Sequence, residues 1–198
     1  MSLESEPGPL FPVFLRLDGR DVLVVGGGRV AAARLPALLA SGAVITVVAP
    51  EVCHEVGSLP VRIERRAFRP EDADGSWLIV AAADRETNRA VAFAAARRRV
   101  FVNAVDDVEA ASVYSGGVLR RGGVTIAVST GGRAPALAGL LREALEALIP
   151  EEVSRWVEVA ARARHQQKQA GVSISQRRPL LLRALDRLYA DRLREAAS

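Results

Sequence analysis

The sequence predicts an α/β fold, in which a doubly wound parallel sheet is followed by a small α+β segment and a helical C-terminal region. Three observations support this prediction. Continuous apolar runs alternate with helical patterns over residues 11–112, which is typical of a parallel sheet covered on both faces. A glycine cluster separates the first run from the first helix, and a hairpin pattern with three helical patterns occupies the remainder.

The first apolar run, residues 22–25, leads directly into three glycines. Gly26, Gly28 and Ala31 fit the spacing G-x-G-x-x-G/A, in which small residues allow a tight turn, close approach of a pyrophosphate and close packing of helix on sheet. The start of the helix adds partial positive charge. The pattern predicts a dinucleotide site formed by Gly26, Gly27, Gly28, Arg29 and Val30.

A complete βαβ unit follows from this turn. Residues 32–41 are rich in Ala and Leu, Gly42 is a suitable helix stop, and residues 44–49 form a second apolar run. An acidic residue after that strand commonly binds the ribose hydroxyls, and the strand is followed by Glu51 with no arginine beside it. These residues favour NAD over NADP and add Ala49, Pro50 and Glu51 to the predicted cofactor site.

Further strands are predicted at residues 61–64, 77–82 and 100–105, with a helix over 86–99. Alternating strands and helices imply that residues 11–112 form a Rossmann-like domain. Ala82, Asp84 and Asn103 then fall at the carboxyl ends of strands, where ligands bind in such sheets.

The pattern changes after residue 112. Residues 112–119 and 124–129 flank an Arg-Gly-Gly turn and predict a hairpin, and Pro135 precedes an apolar helix over 136–148. Two more helices are predicted over 151–168 and 176–195. The expected organisation is a disordered lead (1–10), a nucleotide domain (11–112), a hairpin-plus-helix segment (113–149) and a helical region (150–198).

Composition narrows the class of protein. Apolar residues make up 49% of the 198 residues, no apolar run is long enough for a membrane span, and the N-terminus lacks a signal-peptide pattern. The single cysteine, Cys53, fits a reducing cytoplasm, and with only two histidines no metal site is expected. The net charge of +4 lies in residues 150–198, but no nucleic-acid motif accompanies it.

Several motifs occur in one order at familiar separations: LDGR (17–20), GGGRVAAAR (26–34), TVVAPE (46–51), AAAD (81–84), VNAVDD (102–107) and VSTGGRAPALA (128–138). Together they resemble the precorrin-2 dehydrogenase (sirohydrochlorin synthase) family, which also forms the N-terminal part of siroheme synthases. The resemblance is strong over residues 11–150 and weak in the helical tail. Arg34-Leu35, Tyr114 to Gly117 and Ala134 depart from the family pattern.

The resemblance implies NAD-dependent oxidation of precorrin-2 to sirohydrochlorin by a homodimer built through residues 113–149. It places the catalytic carboxylate at Asp106, although an Asp at this point also commonly caps a turn. Because the substrate carries many carboxylates, the glycine-containing loop before the 136–148 helix is a candidate anion site. That loop can equally be a plain connection. The expected substrate contacts are Asn103, Ser129, Thr130, Gly131, Gly132 and Arg133.

Two other functions fit the same residues. The first is a bifunctional enzyme that also inserts iron in the same cleft, since a transient metal site needs no histidine cluster. The second is a non-catalytic nucleotide-sensing dimer, which the additional hairpin and glycine loop disfavour. The sequence leaves open whether the chain is a dehydrogenase alone or the bifunctional enzyme.

Overall fold

The computed structural model describes residues 9–105 and 107–195. The chain divides into two compact units, with the boundary between Ser115 and Gly116. No helix in these described ranges is long and apolar enough to cross a membrane. The expected disordered lead, residues 1–10, lies almost wholly outside them.

The first unit contains a five-stranded, all-parallel sheet in the order β3-β2-β1-β4-β5. Its strands are β1 (Asp21–Val25), β2 (Val44–Val48), β3 (Arg62–Glu64), β4 (Leu78–Ala81) and β5 (Phe101–Ala104). Its helices are α1 (Arg29–Ala40), α2 (His54–Gly57) and α3 (Arg85–Arg98), with a 3-10 turn at Pro70–Ala73. This is the doubly wound parallel sheet that the alternating pattern predicts.

Each face of the sheet carries its own apolar core. On one face, α1 and α2 pack on the sheet through fully buried side chains such as Leu35 and Val56. On the other face, α3 and the 3-10 turn contribute Val91 and Ala73. Alternate residues of β1 point to opposite faces, so the three valines and one leucine at residues 22–25 contribute two side chains to each core.

The strand register aligns the carboxyl ends of four strands at one edge. Val25 pairs with both Val48 and Ala81, and Ala81 pairs with Ala104. The strand order reverses between β1 and β4, which is where open α/β sheets bind ligands. We call this side the carboxyl edge, and the residues that follow β1, β2, β4 and β5 all lie along it.

The second unit consists of an antiparallel hairpin and three helices. The elements are β6 (Gly117–Arg121), β7 (Val124–Val128), α4 (Pro135–Leu148), α5 (Val153–Gln169) and α6 (Ile174–Glu195). Gly122 and Gly123 form the hairpin turn with φ of 53° and 82°, which L-residues rarely adopt. A Cβ at Gly122 would also lie 2.5 Å from the Ser154 nitrogen at the start of α5.

The first hairpin strand is shorter than predicted, since it begins at Gly117 and not at Ser112. Ser112 and Val113 bind the free edge of β5 instead: their N–H groups donate to the Val102 carbonyl at 2.9 and 3.0 Å. The Val102 N–H in turn donates to the Ser112 hydroxyl at 2.9 Å. These bonds cover an otherwise unpaired strand edge, which explains the difference from the sequence prediction.

Candidate functional site

The glycine turn follows β1 at the carboxyl edge. Gly26 has φ of 119°, and a Cβ there would lie 2.2 Å from the Ala82 carbonyl oxygen. Any other residue would therefore be strained and would clash with the chain after β4. Its N–H donates to the Val48 carbonyl at 3.0 Å, so the turn is fixed between the ends of β2 and β4.

Gly27 and Gly28 are glycines for different reasons. A Cβ at Gly27 would lie 2.1 Å from the Glu51 carbonyl oxygen, and the Gly27 carbonyl accepts a hydrogen bond from the Cys53 N–H at 2.8 Å. A Cβ at Gly28 would meet no atom within 4 Å. Packing of the protein itself therefore explains Gly27, whereas the open space at Gly28 leaves room for a ligand to approach the backbone.

The N-terminus of α1 has no capping group of its own. Gly28 is the N-cap, no side chain bonds the first N–H groups, and the first turn holds no acidic residue. These N–H groups and the helix dipole favour an anion. Arg29 and Val30 are exposed beside them, while Ala31 and Leu35 are fully buried against the sheet. The turn thus fits the pyrophosphate of a dinucleotide.

The tip of β2 lies next to this turn. Ala49 is buried and its N–H donates to the Glu64 carbonyl at 3.2 Å, whereas Pro50 and Glu51 are exposed. Because the Glu51 backbone packs against Gly27, the Glu51 side chain begins close to the glycine turn. This arrangement suits a carboxylate that accepts hydrogen bonds from ribose hydroxyls.

The segment after β4 completes this part of the edge. The Ala82 N–H donates to the Val25 carbonyl at 2.8 Å, and Asp84 caps α3. Its two carboxylate oxygens accept from the Thr87 N–H at 2.9 Å and the Thr87 hydroxyl at 2.8 Å. These hydrogen bonds hold the pKa of Asp84 below its usual range. Asp84 therefore fixes the start of α3 whatever else it binds.

Sequence reasoning missed Asn88, which is buried on the sheet side of α3. Its side-chain oxygen accepts from the Ala83 N–H at 3.0 Å, and its nitrogen donates to the carbonyls of Ala83 and Val105 at 3.2 and 3.5 Å. Asn88 thus joins the segments after β4 and β5. The available signal was an amide at a position that shares the apolar stripe of Val91 and Ala95.

The residues after β5 divide into described and undescribed ones. Asn103 is buried, and its side-chain nitrogen donates to the Val113 carbonyl at 2.8 Å. Asp106, the predicted catalytic carboxylate, lies outside the described residues. Asp107 is buried, and its Oδ1 accepts from the Ala110 N–H at 3.2 Å, so it caps the following turn.

The remaining predicted residues form one loop of the second unit, between β7 and α4. The Ser129 hydroxyl accepts from the Gly131 N–H at 3.1 Å, and the Thr130 hydroxyl accepts from the Ala134 N–H at 3.1 Å. Gly131 and Gly132 have φ of 64° and 77°. Arg133 is exposed, and the start of α4 carries neither a side-chain cap nor an acidic residue. This helix start is also suited to an anion.

The structure therefore brings the residues predicted for the cofactor site together at the carboxyl edge of the first unit, along with Asn103. The loop from Ser129 to Arg133 belongs to the second unit. Within residues 9–105 and 107–195, no three His, Cys, Asp or Glu side chains are grouped so that they could hold a metal ion.

A glycine turn, an open helix start and an acidic strand tip at the switch of a parallel sheet define a dinucleotide-binding α/β domain. Comparison with known families agrees, since the family described as "Putative NAD(P)-binding" matches residues 13–117. A second family, described as "Sirohaem biosynthesis protein central", matches residues 121–148.

Individual relatives specify the family further. The chain is 42% identical over 190 residues to Siroheme synthase 3 of Aeromonas hydrophila and 40% identical over 184 residues to Siroheme synthase of Photorhabdus laumondii. These matches cover 93% and 90% of this chain but only 40% and 39% of the relatives. A solved structure titled "SirC, precorrin-2 dehydrogenase" has 30% identity, a TM-score of 0.70 and 88% coverage of both chains. The chain belongs to the family of precorrin-2 dehydrogenases and siroheme synthases.

Proposed function

We propose that this chain catalyses the NAD-dependent oxidation of precorrin-2 to sirohydrochlorin. One observation carries the proposal: the open start of α1 and the end of β5, which Asp106 follows, lie at the same edge of one sheet. The site for an anionic cofactor and the strand that precedes the candidate base in the sequence thus belong to one sheet. The likeness to a precorrin-2 dehydrogenase over 88% of both chains supports the same assignment.

The residues present fit a dinucleotide. The N–H groups from Gly28 to Val30 would bind the pyrophosphate, and Glu51 would bind the ribose hydroxyls, with Ala82 and Asp84 on the other side of the turn. When bound, NAD⁺ supplies a hydride acceptor. With no arginine beside Glu51 in the sequence, the strand tip offers no cation for a 2′-phosphate, which favours NAD over NADP.

Asp106 is the proposed base. The oxidation removes a hydride and a proton from the reduced macrocycle, so the proton must pass to a group on the protein or to water. In the sequence Asp106 stands two residues after β5, and both of its neighbours are fixed at the ligand-binding edge: the Val105 N–H donates to the Ala81 carbonyl at 2.9 Å, and Asp107 caps the following turn.

Contacts to the substrate are proposed for Asn103 and for the loop from Ser129 to Arg133. The loop is shaped by its own hydroxyl groups, and the uncapped start of α4 and the exposed Arg133 remain available to an anion. The substrate carries several carboxylates, which the N–H groups at the start of α4 and the Arg133 guanidinium are both suited to bind.

The assembly is proposed to be a homodimer that forms through residues 113–149, with residues 150–198 as a separate helical region and the cytoplasm as the location. Support for the dimer comes from α4, which exposes large apolar side chains that a partner surface would bury. These are Leu137, Leu140, Leu141 and Leu148. The free cysteine, Cys53, supports a reducing compartment such as the cytoplasm.

The test is an anaerobic assay with enzymatically generated precorrin-2 and NAD⁺, using wild type, Asp106→Asn and the neighbouring Glu109→Gln as a matched carboxylate control. We expect NADH and sirohydrochlorin from wild type and from Glu109→Gln. We expect Asp106→Asn to lose at least about a hundredfold in kcat while still binding NAD⁺. Full turnover by Asp106→Asn would remove the base assignment, and no turnover by wild type would remove the proposed function.

A bifunctional enzyme is the second candidate, because the relatives include proteins named siroheme synthases. Adding Fe²⁺ or Co²⁺ to sirohydrochlorin with the protein under anaerobic conditions separates the two. Metal insertion faster than in a protein-free control would support the bifunctional enzyme. A rate equal to that control would leave the dehydrogenase alone.

A further inference from the structure

Two arginines on the first two turns of α3 face one buried carboxylate at the carboxyl edge. The Nε atoms of Arg85 and Arg89 lie 3.9 and 3.5 Å from Oδ2 of Asp107. The arginine side chains are 75% and 55% exposed, whereas that of Asp107 is 8% exposed. The three residues therefore join a buried anion to two solvent-facing cations.

Asp107 is incompletely satisfied in this arrangement. Its Oδ1 caps the turn at Ala110, but among the described residues its buried Oδ2 has no hydrogen-bond partner. Neither arginine contact meets the geometry of a hydrogen bond. Burying a carboxylate oxygen costs free energy unless cations stay close to it. The fold therefore favours conformations in which both guanidinium groups remain beside Asp107.

The guanidinium groups keep most of their donors free. Each faces Asp107 with Nε, and no hydrogen bond from either terminal amino group is found within the described residues. The two guanidinium groups and the Asp107 carboxylate together carry a net charge of +1. Guanidinium forks bind carboxylates through two parallel hydrogen bonds, so the pair presents a surface that fits an acidic ligand.

The position of the pair separates it from the nucleotide's own anion site. The open helix start belongs to α1 and follows β1, whereas Arg85 and Arg89 follow β4 and contact the residue after Asp106. The sheet order places β5 at the outer end of the edge, beyond β4. The arginines therefore contact the residue that follows the proposed base in the sequence, and they lie on the β5 side of β4, away from the pyrophosphate position.

We propose that Arg85 and Arg89 bind carboxylate side chains of the tetrapyrrole substrate and that Asp107 positions both guanidinium groups. This inference rests on the proposed function for the identity of the substrate. We call the pair the arginine clamp. The clamp gives the first unit its own means of recognising an acidic macrocycle at the carboxyl edge.

The first test compares steady-state kinetics of Arg85→Gln, Arg89→Gln and the double variant with those of Arg97→Gln. Arg97 is a matched control, since it is an exposed arginine in the last turn of the same helix. We expect the KM for precorrin-2 to rise about tenfold in each single variant and further in the double variant, because each loses a charge-assisted hydrogen bond. The KM for NAD⁺ should stay at the wild-type value.

The second test measures binding without turnover. Uroporphyrin III, a stable macrocycle with carboxylate side chains, is titrated into each protein while its fluorescence is followed. We expect weaker binding by Arg85→Gln, Arg89→Gln and the double variant. We expect a smaller loss in Asp107→Asn, in which the arginines keep their charge but lose the carboxylate that restrains them. Arg97→Gln should bind as wild type does.

The outcomes separate the clamp from the proposed function. An unchanged KM for precorrin-2 in the double variant, or a rise in the KM for NAD⁺ instead, would overturn the clamp; the second result would assign these arginines to the nucleotide phosphates. If wild type forms no NADH from precorrin-2, the proposed function fails, and the uroporphyrin III titration then decides on the clamp alone.

Discussion

The side-chain amide of Asn88 bonds both backbone polar groups of Ala83: its oxygen accepts from the N–H at 3.0 Å and its nitrogen donates to the carbonyl at 3.2 Å. The same nitrogen reaches the Val105 carbonyl at 3.5 Å. A single buried side chain therefore sets the spacing between the chain segments that follow β4 and β5. These segments carry Asp84 on one side and Asp106 on the other.

Asn88→Ala should lower the free energy of unfolding by about 1–3 kcal/mol, because it leaves the partly buried N–H and carbonyl of Ala83 without their side-chain partner. It should also raise the KM for both substrates, since both edge segments lose their restraint. Urea unfolding and steady-state kinetics check these two expectations. Arg97→Ala, on the exposed face of the same helix, should change stability by less than about 0.5 kcal/mol. Equal stability of Asn88→Ala and Arg97→Ala would show that the bridge is dispensable.

Gly27 and Gly28 should respond differently to substitution by alanine. Gly27→Ala places a methyl group against the Glu51 carbonyl and should destabilise the fold by more than about 2 kcal/mol. Gly28→Ala meets no neighbouring atom and should cost less than about 1 kcal/mol, yet weaken NAD⁺ binding at least about tenfold. Thermal unfolding and calorimetric titration with NAD⁺ measure the two effects. Normal NAD⁺ affinity in a folded Gly28→Ala protein would place the pyrophosphate elsewhere.

Glu51→Arg should change nucleotide preference. Removing the carboxylate weakens the contact to the ribose hydroxyls, and a guanidinium at the strand tip can bind a 2′-phosphate. We expect the ratio of kcat/KM for NADP⁺ to that for NAD⁺ to rise about tenfold. Glu55→Arg, which makes the same charge change on an exposed residue of α2, is the control. Equal ratios in the two variants would remove Glu51 from the ribose site.

The pair of Arg66 and Asp72 should make stability depend on pH. The Arg66 side chain donates two hydrogen bonds of 2.7 Å to Asp72, and together with the Arg69 N–H they hold the pKa of Asp72 below its usual range. Because the pKa is lower in the folded state, this stabilisation is complete at neutral pH and is lost as the pH falls from about 5 towards 2.

Asp72→Asn should therefore cost about 1–3 kcal/mol at pH 7, and its difference from wild type should shrink as the solution is acidified. Urea unfolding at several pH values measures this difference. Asp74→Asn is the control, because its carboxylate pairs with Arg98 but is largely exposed. A difference between wild type and Asp72→Asn that persists at pH 2 would show that the loss is not electrostatic.

The sequence was sufficient to predict the parallel sheet, because its strands are continuous apolar runs buried on both faces and separated by helical patterns. It was also sufficient to locate the glycine turn, since Gly26 needs a positive φ and lies against Ala82. The predicted start of β6 was wrong, because Ser112 and Val113 hydrogen-bond to Val102 and do not join the hairpin. Ser112 and Val102 are ten positions apart in the chain. No local pattern reports such a pairing.

The side-chain contacts at the carboxyl edge could not be predicted from the sequence either, because they also join segments that are distant along the chain. Asn88, Arg85 and Asp107 lie in two segments that meet only when β4 and β5 pair, so neither segment alone shows their relationship. The role of Gly27 was likewise hidden, because its constraint comes from the backbone of Glu51. Assignment of Asp106 as the base remains a prediction.

We propose that a single chain couples oxidation of the macrocycle to reduction of NAD⁺ at the carboxyl edge of its sheet. The most direct measurement follows NADH and sirohydrochlorin together during anaerobic turnover of precorrin-2. We expect NADH and sirohydrochlorin to form in equal amounts, and neither to form without NAD⁺. Binding of NAD⁺ with no consumption of precorrin-2 would contradict it.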